Sequence, residues 1–277
     1  MYEEHPVFSP PDDPDCKLWR YMDFAKFLSL LEDEALFFSS AASMSDRFEG
    51  SRGLLNPARG TSLGEGYAVY EKRFMTPLSR LQRGYTYMSC WHESLHESAA
   101  MWDLYQRDGY GVAVQSTFRR LTESCQSDRL IYAGRVNYID FDREIIPDGN
   151  MYTPYLYKRR SFEHEREVRA VLGDNERAIN AWWKANSPSF GLTMSFTAGQ
   201  DIEGELRKLE TAFRNLDTEI APLPGILVPV DLEKLVEAVY LAPGVAGWHT
   251  ALVQKLLIRY HHMWPVRHSD LDRDPVS

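Results

Sequence analysis

Cysteine is scarce in this chain of 277 residues, which holds three: Cys16, Cys90 and Cys125. They are far apart and form no C-x-x-C, which excludes a disulfide framework and a cysteine zinc site. A reducing cytoplasm is therefore the expected location. Long apolar runs are missing too: no stretch approaches the ~20 residues that a membrane-spanning helix needs, so no membrane partner is expected. The opening segment, MYEEHPVFSPPDDPD, is acidic and proline-rich and has no apolar stretch of the kind a signal peptide carries. Positive charge is in deficit, with 31 Lys and Arg against 40 Asp and Glu, a formal charge of −9. That balance argues against non-specific coating of nucleic acid but leaves room for a local basic patch. Glycine-rich phosphate loops, G-x-G-x-x-G or G-x-x-x-x-G-K-[ST], do not occur. A G-x-S-x-G nucleophile elbow is lacking as well.

What remains is the composition of an ordinary globular protein, 44% apolar and 26% charged. Residues 1–17, with five acidic residues and four prolines, read as a flexible arm. Residues 18–268 read as a single domain, with 174–224 as an insertion, and 269–277 as a frayed tail. Strands are expected at 18–21, 35–40, 85–91, 111–116, 130–141, 167–172, 225–230 and 238–243, with an edge strand at 264–269. Helices are expected after Asp23, Ser98 and Asp231, which serve as caps. Others are expected over 65–83 (Tyr67, Tyr70, Phe74, Leu78, Leu81), 118–126, 154–164, 201–217 and 247–262. Strands and helices do not alternate steadily. The fold class is α+β, with a mixed, mostly antiparallel sheet or pair of sheets flanked by helices.

Four constellations carry chemistry-bearing residues. His92-Glu93-Ser94-Leu95-His96 matches H-E-x-x-H, whose two histidines hold zinc when they share a helical face. Here the motif follows a strand and precedes the Ser98 cap, the context of a polar loop. The run Lys158 to Arg169 ends in Glu165, Glu167 and Arg169, which share one face if the chain is extended from about 164. Two carboxylates and a guanidinium so placed can bind a sugar hydroxyl and move a proton; the plainer alternative is a solvated edge of ion pairs. Trp91 and Trp102 offer flat rings for stacking, or simply core. Ser45-Asp46-Arg47-Phe48-Glu49-Gly50 is a ligand-facing loop or a capped turn.

Several pieces, in this order, resemble the uncharacterised bacterial family catalogued as domain of unknown function 2971. They are LWRYMDFAKFLSLLEDEALFFSSAASMSDRFEG (18–50), YMSCW (87–91), AAMWDLYQRDGYGVAV (99–114), VNYIDF (136–141), Lys158 with FEHEREVRAV up to 171, and GILVPVDLEKLVEAVYLAP (225–243). The layout is also remotely similar to ADP-ribosyltransferase folds. The resemblance implies Arg20 and Tyr21 on an early strand, Ser39 and Ser40 on a second, and a late Glu165 or Glu167. Glu165-Arg166-Glu167 has the E-x-E spacing of the arginine-modifying branch, while Phe38-Ser39-Ser40 departs from that branch's Ser-Thr-Ser.

The leading expectation is an NAD-consuming ADP-ribosyltransferase-like enzyme, in bacterial or phage defence or toxin–antitoxin systems. Glu167 and Glu165 are its candidate catalytic residues. Arg20, Tyr21, Ser39, Trp91, Trp102 and Arg169 are its candidate nucleotide-binding residues. Its partners would be a small-molecule nucleotide and a protein or nucleic-acid acceptor. The alternatives are a non-catalytic binding module of such a system and a zinc hydrolase through His92 and His96. A magnesium nuclease through Asp46, Glu49 and Glu165 rests on acid count alone.

Overall fold

The computed structural model describes residues 1–52, 76–105, 109–147, 150–186 and 221–275. Sequence alternation sets the frame. In β1 (Lys17–Met22), Leu18 and Met22 enter the main core while Trp19 and Tyr21 join a second apolar cluster. Successive strand residues point to opposite faces, so each sheet face has its own core. Asp23 then caps α1 (Phe24–Asp33), its side chain accepting from the Lys26 N–H at 2.8 Å. There follow β2 (Ala35–Ser40), α2 (Thr76–Tyr85), β3 (Thr86–Glu93) and α3 (Ala99–Tyr105). Next come β4 (Val112–Thr117), α4 (Phe118–Ser124), β5 (Tyr132–Arg135), β6 (Asn137–Ile139) and β7 (Tyr157–Arg159). The remainder is β8 (Glu167–Gly173), α5 (Asn175–Asn186), β9 (Gly225–Pro229), α6 (Leu232–Leu235), β10 (Ala238–Leu241), α7 (Gly247–Arg259) and β11 (Val266–His268).

Nine strands form one sheet, in the order β11-β10-β4-β1-β3-β2-β9, with β8 on β3 and β5 on β8. All its ladders are antiparallel except β10–β11; β6 and β7 form a separate parallel pair. The fold is a single compact α+β domain. Phe27, Leu31, Phe118, Leu121, Leu235, Val253 and Leu257 pack α1, α4, α6 and α7 on one face of the sheet. Burying each such side chain contributes about 1.5–3 kcal/mol. Met101 and Trp102 of α3 cover Trp19, Tyr21 and Tyr240 on the other face. No helix among the described residues is long and apolar enough to cross a membrane.

The long strand expected over 130–141 is broken. β5 stays on β8, where the Val136 N–H still donates to the Glu167 carbonyl at 2.9 Å, while β6 pairs with β7, so the two strands serve different sheets. The helix expected over 154–164 is instead a 3₁₀ turn (Thr153–Leu156), then β7, then a second 3₁₀ turn (Arg160–Glu165). Residues 1–17, read as a loose arm, are docked: Tyr2 bridges Ile131, Phe8 is buried among Tyr152, Tyr155 and Val171, and Lys17 already belongs to β1. The expected tail begins with a buried Ser269 whose hydroxyl donates to Glu97 at 2.6 Å. Of the helix expected over 65–83, residues 76 onward are helical and Leu81 is buried. Its Tyr67, Tyr70 and Phe74 lie outside the described residues, as does the whole helix expected over 201–217.

Candidate functional site

Strand register assembles the site. β8 runs along one edge of β3, from Thr86 opposite Gly173 to His92 opposite Glu167. The other edge of β3 is shared: β1 pairs at His92 and Glu93, β2 at Tyr87 and Met88. Ser89, Cys90 and Trp91 stand between those pairings, at a seam in the sheet. Arg20 lies in this seam. Its guanidinium donates to the Ser89 hydroxyl and, at 2.9 Å, to the Phe37 carbonyl, and lies 5.7 Å from the centre of the Trp91 ring.

On the face opposite the main core, pairing sets Cys90 beside Arg169 and His92 beside Glu167, and Ser39 beside Met88. Ser39 and Glu167 therefore share a sheet face, as do Glu167 and Arg169. Glu165 arrives differently from the extended chain expected. It closes the 3₁₀ turn, and Arg166 adopts a left-handed conformation (φ 39°) before β8 starts at Glu167.

A closed set of charges results. Arg169 is fully buried and donates to Glu167 at 2.6 Å, to Glu49 at 2.8 Å and to the Tyr155 carbonyl at 2.6 Å. Lys158 donates to Glu165 at 2.7 Å and to Glu167 at 2.8 Å, with its ammonium 4.7 Å from the centre of the Phe162 ring. A solvated edge of ion pairs is thus replaced by a buried network, in which each charge needs its partner. Beside it, Arg159 holds Asp46 at 2.8 Å and lies over the Phe48 ring.

The two carboxylates are driven apart. Burial, then a hydrogen bond shared with Glu167 and the charge of that neighbour, push Glu165 up to about 7. Burial alone would raise Glu167 too, but Arg169, the bond shared with Glu165, and Lys158 hold it far below the usual carboxylate range. The first proton of the pair is therefore lost in strong acid and the second only near neutrality, and both steps belong to the pair. Burial pushes the Cys90 thiol and the Tyr105 phenol up to about 12, with Glu167 adding to both. The field around Arg20 includes Cys90 and Tyr105, and that around Tyr105 includes Glu165 and Glu167. Tyr105 is exposed at the end of α3.

The expected nucleotide-binding set is not gathered as drawn. Trp91 belongs to the main core and Trp102 to the cluster on the other face, so the two rings do not wall one pocket. The Tyr21 hydroxyl accepts the Ser98 N–H at 2.8 Å, and Trp102 donates to Glu97 at 2.8 Å. Arg169 is spent on ion pairs and Arg20 on the seam. His92 and Glu93 end β3 rather than sharing a helix with His96: His92 Nδ1 lies 2.6 Å from the Glu165 carbonyl, and Glu93 takes two bonds from Arg135 at 2.8 Å. No group of three metal-ligating side chains occurs among the described residues. An open concavity of about 580 Å³, lined by Tyr240, Arg267, Ser269 and Asp270 among others, includes none of the cluster.

Cys90 and Tyr105 stand in the aromatic-rich stretches noted in the sequence, but neither they nor Tyr138, whose hydroxyl accepts the Glu167 N–H at 2.8 Å, were given a role beside the carboxylates. The pairing of Cys90 with Arg169 follows from cross-strand register, which the sequence does not record. No protein-family model matches the chain, and no curated protein and no solved structure matches it. The resemblances drawn from the sequence gain no support from those comparisons.

Proposed function

We propose that the chain is an ADP-ribosyltransferase-like enzyme that acts on the glycosidic bond of a nucleotide such as NAD, with Glu165 and Glu167 as its acid–base centre. The observation that carries this reading is geometric: Glu165 and Glu167 meet on one ammonium, that of Lys158, at 2.7 and 2.8 Å, with Arg169 on Glu167 at 2.6 Å. An acid–base group works best when it titrates near the operating pH. Glu167, kept anionic by Lys158 and Arg169, has lone pairs left to accept a sugar hydroxyl and to stabilise positive charge building on the ring. Glu165 can take the proton of an acceptor, and Lys158 steadies both. The test is nicotinamide release from NAD by the purified chain with cell extract as the source of acceptor. Glu165→Gln and Glu167→Gln should each lower the rate at least ~100-fold, the usual weight of a positioned acid–base group. Wild-type chain that neither releases nicotinamide nor binds NAD by calorimetry would end this reading.

A second reading is favoured by the closure of the network. Both oxygens of Glu167 are already paired within the protein. In that reading the cluster is a structural lock in a non-catalytic binding module of a defence or toxin–antitoxin system. It expects the Gln variants to lose stability while the chain still captures its partner.

A further inference from the structure

Glu49 sits in the loop after β2, outside regular secondary structure, yet is buried. Its Oε1 accepts from Arg169 at 2.8 Å and lies 3.5 Å from Lys158 Nζ. Its Oε2 is buried without a hydrogen-bond partner, so no donor on that side dilutes its charge. The loop is pinned at several points. Asp46 is held by Arg159 at 2.8 Å, and Gly50 (φ +65°) is so close to Tyr155 that an added Cβ would stand 2.3 Å from its ring. The Tyr155 carbonyl in turn accepts from Arg169. The carboxylate of Glu49 is therefore fixed against the two cations that serve the Glu165–Glu167 pair.

The charges sum simply. Glu49 and Glu167 as carboxylates offset Lys158 and Arg169, the two cations they contact, so the set carries no net charge when Glu165 is neutral. Ionising Glu165 leaves one uncompensated negative charge in a buried place, which is costly. Without Glu49 the same ionisation would instead neutralise an excess cation. The other groups around the pair do not take over this balance. The thiol of Cys90 and the phenols of Tyr105 and Tyr138 are pushed up by burial and stay neutral, and burial disfavours a charge on His92. Arg20 lies in the seam beyond Cys90, and His164 and Arg166 are exposed on the 3₁₀ turn.

We propose that Glu49 is a positioning residue that, through its fixed contacts with Arg169 and Lys158, governs the charge balance around the Glu165–Glu167 pair. Its use in catalysis rests on the enzymatic reading above; its effect on that balance does not.

The test is a titration of the full chain carrying ¹³C-labelled glutamate side chains, followed by NMR. Glu49→Gln should lower the midpoint of the pair by about one pH unit, a tenfold weaker hold on the proton. Glu49→Asp keeps the charge but draws it back from Lys158, and should lower the midpoint by a smaller amount. An unmoved midpoint in Glu49→Gln overturns the proposal. If that chain fails to fold, an unmoved midpoint in Glu49→Asp overturns it in the same way. Nicotinamide release plays no part in this readout, so an inactive chain would sink the enzymatic reading and leave this one standing.

Discussion

Arg169 and Glu49 are 120 positions apart in the chain and 2.8 Å apart in the fold, with the guanidinium wholly out of solvent. The same guanidinium holds Glu167, so one side chain ties the loop after β2 to the strand bearing the candidate site.

Removing that tie should be costly. Arg169→Met leaves Glu49 buried with only Lys158, at 3.5 Å, and deprives Glu167 of its shortest bond. Breaking a buried pair by deleting one partner typically costs about 3–5 kcal/mol. Urea unfolding of the variant should show a loss of this size; a loss below about 1 kcal/mol would mean that the network is far less closed than its geometry indicates.

Stability should also report the shared proton. Glu165 has a folded-state pKa above its unfolded one, so between the ordinary glutamate range and about 7 the folded chain binds more protons than the unfolded. Over that window stability falls as pH rises, by something on the order of 2 kcal/mol. Glu167 works in the opposite sense: its depressed pKa lends stability above the ordinary range, lost as pH falls below it. Unfolding curves at intervals from about pH 4 to 9 should show a maximum near 5. In Glu165→Gln the decline toward neutrality should disappear.

Backbone strain makes a separate prediction. Gly50→Ala meets the Tyr155 ring at a positive φ, while Gly109→Ala has a positive φ and nothing within 4 Å. The second should lose about 1 kcal/mol for conformation alone, and the first should lose about 1–3 kcal/mol more for overlap. Equal losses in thermal unfolding would show that the loop yields freely and does not fix Glu49.

Arg20 offers a test of the seam. Arg20→Lys keeps the charge but cannot reach both the Ser89 hydroxyl and the Phe37 carbonyl with one planar fork. A destabilisation of about 1 kcal/mol is expected from chemical unfolding, since one of the two bonds is lost while Ser89 keeps the Trp91 donor at 3.1 Å. An unchanged unfolding midpoint would show that the fork is not needed there.

Local chemistry was legible in the sequence, and long-range chemistry was not. Asp23, Ser98 and Asp231 stand where short polar side chains satisfy the first turn of a helix, and the structure uses all three. Alternation placed Glu167 and Arg169 on one face because a strand permits nothing else. Glu165 was misread because a single left-handed residue, Arg166, turns the chain before the strand begins. The segment 154–164 was misread because β7 is fixed by pairing with β6, about twenty positions earlier, which no local pattern shows. Lys158 looks like a surface lysine until three carboxylates from 49, 165 and 167 close on it. That closure depends on sheet register, which no local pattern records.

The proton on the Glu165–Glu167 pair can be observed without a substrate. In the unmodified chain, ¹³C NMR of the glutamate carboxyls should show one step at the pair near pH 7, where Glu165 titrates. No second step should follow until the solution is far more acidic than free glutamate requires. Two independent steps close to the ordinary glutamate range, ~4.3, would contradict the account at its root.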